Sequence, residues 1–234
     1  ESSFAWKFNK STALSLLKDS WPLILSGILI SIYMKIDQVM IKEMMNAQAV
    51  GQYAAAVRLS EAWYFIPMAI VSSLFPSIIN AKKVSDKLYL ERLQRLYSLM
   101  VWLAIAIALP MTFLSDWVVN LLYGNAYQEA GSVLMIHIWT GVFVFLGVAF
   151  SHYLIVENLM MKSFYRTALG TILNIIFNFI LIPKYGIYGA AIATLLGQMT
   201  ANLIYDIFDK TLWSQLKMKL KAIFPIYLIR GVQK

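Results

Sequence analysis

Long runs without a charged residue constrain this chain more than any other feature. No Asp, Glu, Lys or Arg interrupts residues 96–115, 130–156 or 185–205. A helix of about 20 apolar residues is long enough to cross the hydrocarbon core of a bilayer. The runs therefore predict an all-α membrane protein that crosses the bilayer several times.

The composition excludes several classes of protein. Hydrophobic residues make up 60% of the 234 residues and charged residues only 14%, whereas soluble domains average about 25% charged residues. A soluble enzyme or a disordered chain is therefore not expected. The net charge of +8 is spread along a hydrophobic chain, so nucleic acid is not an expected partner. Cysteine is absent, which excludes disulfides and thiolate chemistry.

Hydropathy divides the chain into three parts: a lead-in at 1–20, a transmembrane unit at 21–208 and a basic tail at 209–234. The unit contains six stretches long enough to span a bilayer, and the second stretch carries two charges and two prolines. The predicted spans are 21–41, 53–79, 96–115, 133–156, 167–183 and 187–205.

The distribution of Lys and Arg predicts the orientation. The lead-in, the tail and every second loop together hold sixteen of these residues, whereas the opposite loops hold only Lys42 and Lys184. Cytoplasmic loops of membrane proteins carry an excess of Lys and Arg. We therefore expect both termini in the cytoplasm, which agrees with an even number of spans.

The tail after the last span has the pattern of a basic amphipathic helix. Leu216, Leu220 and Ile223 recur at helical spacing with Leu212, and Lys217 and Lys221 lie on another face. Such a helix lies in the plane of the membrane surface. Recruitment of a partner protein is the alternative.

Four charges at the outer ends of the first two spans are candidate functional residues. They are Lys35, Asp37, Arg58 and Glu61. Because the two spans form an antiparallel hairpin, a four-charge network is geometrically feasible. Charges inside a membrane usually face a protein interior or a wet cavity, where the cations would attract a phosphate and the acids would position them or exchange an ion. Snorkelling at the headgroups with a structural ion pair explains the pattern equally well.

The last two spans carry polar and small residues every four positions. Asn174 and Asn178 follow Gly170 on one face of the fifth span. Buried amides in a bilayer need partners across a helix interface or in a wet cavity, and helix packing is the preferred interpretation. A stripe of small residues in the sixth span also predicts close helix packing; it consists of Gly189, Ala193, Gly197 and Ala201.

No motif of an enzyme or a metal site is present in the sequence. There is no phosphate-binding loop, nucleophile elbow or zinc spacing. His137 and His152 lie too far apart on one helix to share a metal ion, so packed or interfacial roles are expected. We therefore predict neither an enzyme nor a metal site.

Three segments resemble one known family. Residues 21–27 (WPLILSG), 50–61 (VGQYAAAVRLSE) and 182–191 (IPKYGIYGAA) are similar, in this order and spacing, to the bacterial polysaccharide flippases. These are the O-antigen and capsule-unit translocases of the multidrug/oligosaccharidyl-lipid/polysaccharide exporter superfamily. The resemblance covers nearly the whole chain and corresponds to the C-terminal six-helix lobe of a two-lobed transporter.

The resemblance implies translocation of undecaprenyl-diphosphate-linked oligosaccharide across the bacterial cytoplasmic (inner) membrane, for O-antigen or capsular polysaccharide synthesis. The implied partners are this lipid-linked oligosaccharide, membrane lipids, an N-terminal lobe or a second copy of the chain, and the polysaccharide polymerase machinery. The resemblance places Lys35, Asp37, Arg58 and Glu61 at charged positions along the substrate path. No cofactor is expected, and coupling to a H⁺ or Na⁺ gradient stays open.

Three other functions remain as alternatives. A drug or cation antiporter of the same superfamily would export its substrate without affecting polysaccharide. A non-transporting scaffold of glycan assembly would tolerate every change of an intramembrane charge. A membrane glycosyltransferase is disfavoured because the chain has neither an acidic metal motif nor long outer loops.

Overall fold

The computed structural model describes residues 9–224, and within them every regular element is a helix. The predicted all-α class is confirmed. Predictions for residues 1–8 and 225–234, at the two ends of the chain, lie outside the described residues. The α-helices are α1 (Lys10–Met44), α2 (Ala47–Glu61), α3 (Phe65–Val84), α4 (Asp86–Tyr123), α5 (Gln128–His137), α6 (Thr140–Val156), α7 (Met160–Met199), α8 (Tyr205–Phe208) and α9 (Trp213–Ala222).

Several helical segments are long and apolar enough to cross a membrane. Four of them qualify directly, at Ser20–Met44, Ala47–Val84, Asp86–Tyr123 and Met160–Phe208. A fifth is the pair Asn125–His137 and Thr140–Val156, which is bent by 47°. The chain is therefore a multi-pass helical membrane protein, as its apolar runs predict.

Helix α7 is an antiparallel hairpin whose arms are residues 160–185 and 187–199. Its turn is Gly186, where φ is 57° and ψ is −138°, a conformation that suits glycine because a Cβ would be strained there. A Cβ added to Gly170 would lie 2.7 Å from the Cβ of Ala201. In a straight helix these residues would be separated by roughly 45 Å. The reversal falls between the fifth and sixth predicted spans.

Small residues allow the arms of this hairpin to pack closely. A Cβ added to Gly197 would lie 2.9 Å from the Cβ of Asn174, and one added to Gly189 would overlap the backbone of Leu181. Larger side chains at these glycines would therefore push the arms apart. The packing role predicted for the small-residue stripe is confirmed at these positions.

Two apolar clusters occupy opposite ends of the bundle. One joins α3, α4 and α6 and includes Leu212 and Ala222 beside α9. The other joins the end of α1, α2, α5 and the turn region of α7. Polar side chains of α1, α2, α6 and α7 lie between these clusters. The packing of these helices therefore determines which groups surround each polar side chain.

The predicted amphipathic helix is α9, and it contacts the protein through a mixed face. Leu212, Gln215, Lys219 and Ala222 are buried, whereas Leu220 and Ile223 are exposed. The apolar pattern that predicts this helix is therefore divided, with Leu212 against the bundle and Leu220 and Ile223 on the outer side. The side packed against the bundle carries a buried lysine, which amphipathic periodicity does not predict.

Candidate functional site

The carboxylate of Asp37 lies at the meeting point of α1, α2 and both arms of α7. Its Oδ2 accepts hydrogen bonds from the hydroxyls of Tyr53, at 2.8 Å, and Thr194. Its Oδ1 accepts one from Nδ2 of Asn178 at 2.6 Å. Asp37 is only 4% exposed. One buried acid is thus held by three helical segments that are distant in sequence.

This buried acid is not paired with a cation of the described residues. None of the ion pairs found within residues 9–224 involves Asp37. The amide of Asn174 interacts electrostatically with Asp37, yet its Oδ1 and Nδ2 make no hydrogen bond, and neither does Oδ1 of Asn178. Buried charges and amides in proteins are normally paired. The side-chain oxygens of Asn174 and Asn178 are thus buried acceptors without a donor, on the same helical arm that contacts the carboxylate.

A small cavity adjoins this carboxylate. Its volume is about 20 Å³, room for roughly one water molecule. Asp37, Glu61, His137, Tyr33 and Gln198 are among the residues that line it. The space can therefore admit an ion or a water molecule but not a sugar or a lipid headgroup.

The structure separates the four predicted charges into two pairs. Asp37 and Glu61 line the same cavity, whereas Lys35 and Arg58 are exposed and do not line it. Lys35 acts on Glu61 electrostatically, but no ion pair links any of the four within the described residues. The four-charge network that the sequence allows is therefore not linked by ion pairs in the described residues, where the two acids line the cavity and the two cations are exposed.

The two predicted asparagines are both fully buried on the first arm of α7. Asn178 binds Asp37 directly, and Asn174 lies against Gly197 of the second arm. Asn174 therefore lies at the contact of the two arms and Asn178 at the acidic site, and the choice between helix packing and a cavity role stays a prediction for both. His137 and His152 are both packed against aromatic rings, those of Tyr53 and Phe75.

A second polar cluster lies further along the hairpin, next to α9. Lys219 donates to Oδ2 of Asp206 at 2.7 Å and to the backbone oxygen of Asn202 at 2.9 Å. Both side chains of this ion pair are fully buried. Burial lowers the pKa of Lys219 to about 7, against the opposing effect of Asp206. Arg166 donates to the side chain of Asn202 from the first arm.

A polar stripe that runs from the second arm of α7 through the next turn of helix into α8 joins the two clusters, and our interpretation of the sequence missed it. Its members recur every four residues and are Thr194, Gln198, Asn202 and Asp206. Helical residues spaced by four share a face. The chain forms a π-helix at Thr200–Ile204, a feature often found at functional sites. The spacing of these four polar residues in an apolar stretch is the sequence pattern that could have revealed the stripe.

Comparison with known proteins identifies the family. The profile described as "Polysaccharide biosynthesis protein" matches residues 1–132, more than half of the chain. The chain belongs to this family. The resemblance to polysaccharide flippases drawn from three sequence segments is thus confirmed.

Named relatives of this family member come from bacteria and archaea. "Capsular polysaccharide biosynthesis protein CapF" of Staphylococcus aureus is 22% identical over 82% of the chain and 49% of its own length. "Probable low-salt glycan biosynthesis flippase Agl15" of Haloferax volcanii is 26% identical over 70% of the chain and 35% of its own length. "Probable flippase AglR" of the same organism is 27% identical over 74% of the chain and 37% of its own length.

The chain thus spans about half or less of the length of these relatives. No solved structure matches it. Within the described residues, no group of three or more His, Cys, Asp or Glu side chains is arranged to hold a metal ion. The polar features of this family member are therefore the Asp37 site, the Arg166–Lys219 cluster and the exposed cations.

Proposed function

We propose that this chain forms one lobe of a flippase that moves a lipid-linked oligosaccharide across the cytoplasmic membrane. The substrate would be an undecaprenyl-diphosphate-linked unit, and the product would enter O-antigen or capsular polysaccharide synthesis. Family membership and the names of the relatives support this function. The observation that carries it is the buried, unpaired Asp37 among hydrogen-bond donors from three helical segments, α2 and the two arms of α7. Polar groups are retained inside a bilayer chiefly where transport or signalling needs them.

We propose six membrane passages with both termini in the cytoplasm. The hairpin at Gly186 divides the longest helical segment into two passages, and the bent pair α5–α6 contributes another. The bias of Lys and Arg supports this orientation. The other lobe would be a preceding segment of the polypeptide or a second copy of the chain, and polymerase components would act downstream.

Lys35 and Arg58 are the proposed contacts to the substrate diphosphate. Both are exposed, so they can face a second lobe and the space between the lobes. Arg binds phosphate oxygens through forked hydrogen bonds, and Lys acts as a point charge. The sugars would stay in the aqueous space while the polyprenyl tail remains in the lipid.

Asp37 is the proposed coupling site, with Glu61 beside it. Oxygen atoms of Asp37, Asn178 and Asn174 would bind Na⁺, or Asp37 would take up a proton. Because ligands come from α1 and both arms of α7, occupancy would draw these helices together. A ligand that binds one conformation better shifts the equilibrium toward it, which is how ion binding would drive alternating access.

The same coupling site favours one alternative, a drug or cation antiporter. Such a transporter would also need a buried carboxylate but no phosphate-binding cations. A scaffold function would need neither. The flippase, the antiporter and the scaffold can therefore be distinguished by measuring transport of lipid-linked oligosaccharide with Lys35 and Arg58 variants.

Replacing Lys35 or Arg58 by alanine is expected to slow flipping about 10-fold or more. Each change removes a charged contact worth about 1.5–3 kcal/mol. The measurement follows translocation of a labelled lipid-linked oligosaccharide in proteoliposomes that contain the full-length polypeptide. Lys42→Ala is the matched control because Lys42 is also exposed near the end of α1. Wild-type flipping by both variants would refute the assignment of the substrate path.

Single cysteines are expected to label from opposite sides of the membrane. These 234 residues contain no cysteine, so Lys83→Cys and Asn125→Cys each add a single thiol to them, and the unsubstituted polypeptide gives the background labelling. Both positions are exposed near the ends of α3 and α4. A membrane-impermeant thiol reagent added outside intact cells should modify Asn125→Cys, and Lys83→Cys should react only after permeabilisation. The reverse pattern would invert the proposed orientation.

A further inference from the structure

Arg166 is a buried cation whose neighbouring carboxylate, Asp206, is ion-paired with Lys219 instead. It is 5% exposed and lies in the first arm of α7. Its Nη1 donates to Asn202 and its Nη2 to Oγ of Ser151 at 2.6 Å, and both acceptors are neutral. No ion pair within residues 9–224 includes Arg166.

The surrounding charges do not balance. The carboxylate of Asp206 is ion-paired with Lys219 at 2.7 Å and acts on Arg166 only electrostatically, so two basic side chains share one acid in this cluster. Arg166 also lies near the ring of Phe150, with its guanidinium carbon 5.2 Å from the ring centre. Buried charges are normally paired because desolvation is costly. The cluster therefore has room for one further negative charge.

Arg166 also has donors to spare. A guanidinium carries five N–H groups in a planar fork, and two of them are used by the neutral acceptors. Its Nε has no hydrogen-bond partner. The two bonds to Asn202 and Ser151 hold the fork in place, which favours binding of an anion over rearrangement of the side chain.

A cavity of about 270 Å³ adjoins this arginine. Ser151, Gln198 and Arg166 supply its polar wall, and Ile30, Met68, Val144 and Val148 supply an apolar wall. Such a space is suited to an amphiphile whose charged end meets the arginine. A free inorganic anion would leave the apolar wall uncovered.

We propose that this cavity binds the phosphate group of an anionic lipid at Arg166, with the start of the acyl chain against the apolar wall. Arginine is well suited to phosphate because its fork matches two oxygens at once. Basic pockets between transmembrane helices are known sites for lipid headgroups. The proposal goes beyond translocation of oligosaccharide, since such a site would be occupied whether or not the protein transports.

The test is a lipid titration of the purified full-length polypeptide in neutral detergent, followed by native mass spectrometry. Phosphatidylglycerol is the probe, phosphatidylcholine is the zwitterionic comparison, and inorganic phosphate is the free anion. We expect Arg166→Gln to weaken binding of phosphatidylglycerol about 10-fold or more. We also expect the wild type to bind phosphatidylcholine more weakly than phosphatidylglycerol. Inorganic phosphate at the same concentration as phosphatidylglycerol should not displace that lipid.

Two further variants separate this site from general effects. Val148→Phe fills the apolar wall without changing any charge, and it should also weaken phosphatidylglycerol binding, even if Arg166→Gln fails to fold. Arg92→Gln is the control because Arg92 lies elsewhere, bound to Ser77, and it should bind the lipid as the wild type does. Wild-type binding by Val148→Phe and Arg166→Gln would overturn the proposal, and so would effective competition by inorganic phosphate.

Discussion

Replacing Asp37 by asparagine is expected to slow gradient-driven flipping by roughly 10- to 100-fold while the protein still folds. Asparagine has nearly the same shape and can keep hydrogen bonds to Tyr53 and Thr194, which now converge on the carboxylate. It removes the negative charge that would bind a coupling cation, and a contact to a charged group contributes about 1.5–3 kcal/mol. The measurement is oligosaccharide flipping by the full-length polypeptide in proteoliposomes, under an imposed Na⁺ or proton gradient.

The imposed gradient identifies the coupling ion in the same experiment. Wild-type protein should respond to one of the two gradients, and Asp37→Asn should lose that response. Asp86→Asn is the matched control because Asp86 is exposed at the start of α4. A variant with Asp37→Asn that still responds to the gradient as the wild type does would disprove a coupling role for this carboxylate.

Replacing Asp206 by leucine is expected to lower the free energy of unfolding by about 3–5 kcal/mol. Removal of one partner from a buried ion pair leaves the other charge buried and uncompensated. Here the penalty is at the upper end because Lys219 and Arg166 would both lose the carboxylate that acts on them. Denaturant or thermal unfolding of the purified protein in detergent provides the measurement.

The same arrangement of charges predicts how the loss of unfolding free energy ranks among related variants. Lys219→Met should be milder than Asp206→Leu because Arg166 would still act on the remaining carboxylate. Lys82→Met is the control, since the Lys82–Glu157 pair is about one-third exposed and should contribute at most about 1 kcal/mol. Equal losses for Asp206→Leu and Lys82→Met would show that the buried cluster is not a stabilising centre.

Much of the architecture follows from local patterns in the chain. The charge-free runs coincide with long helices because a bilayer requires every backbone group to be bonded within its own segment. Pro183 and Gly186 mark the reversal of α7, and the small residues at Gly189 and Gly197 mark its close packing. Each of these signals is visible in a short stretch of the sequence, without knowledge of which helices meet.

Contacts between distant segments of the chain determine which side chains come together at the polar sites. Asp37 was recognisable as a costly intramembrane charge, but its partners Asn178 and Thr194 lie 141 and 157 residues away. Arg166 and Lys219 looked like ordinary flanking cations of a cytoplasmic loop and a basic tail. They are buried because the hairpin of α7 brings Asn202 and Asp206 next to α6 and α9.

Hydropathy and charge were thus sufficient to establish from the chain alone an all-helical, multi-pass membrane protein, and they marked Asp37 only as one of four candidate charges. Periodicity reports which residues share a face of one helix, and it carries no information about which helices meet. The separation of Asp37 and Glu61 from Lys35 and Arg58 arose from the rotation of α1 and α2 in the packed bundle. The surplus cation at Arg166 likewise exists only where three separate segments close around it.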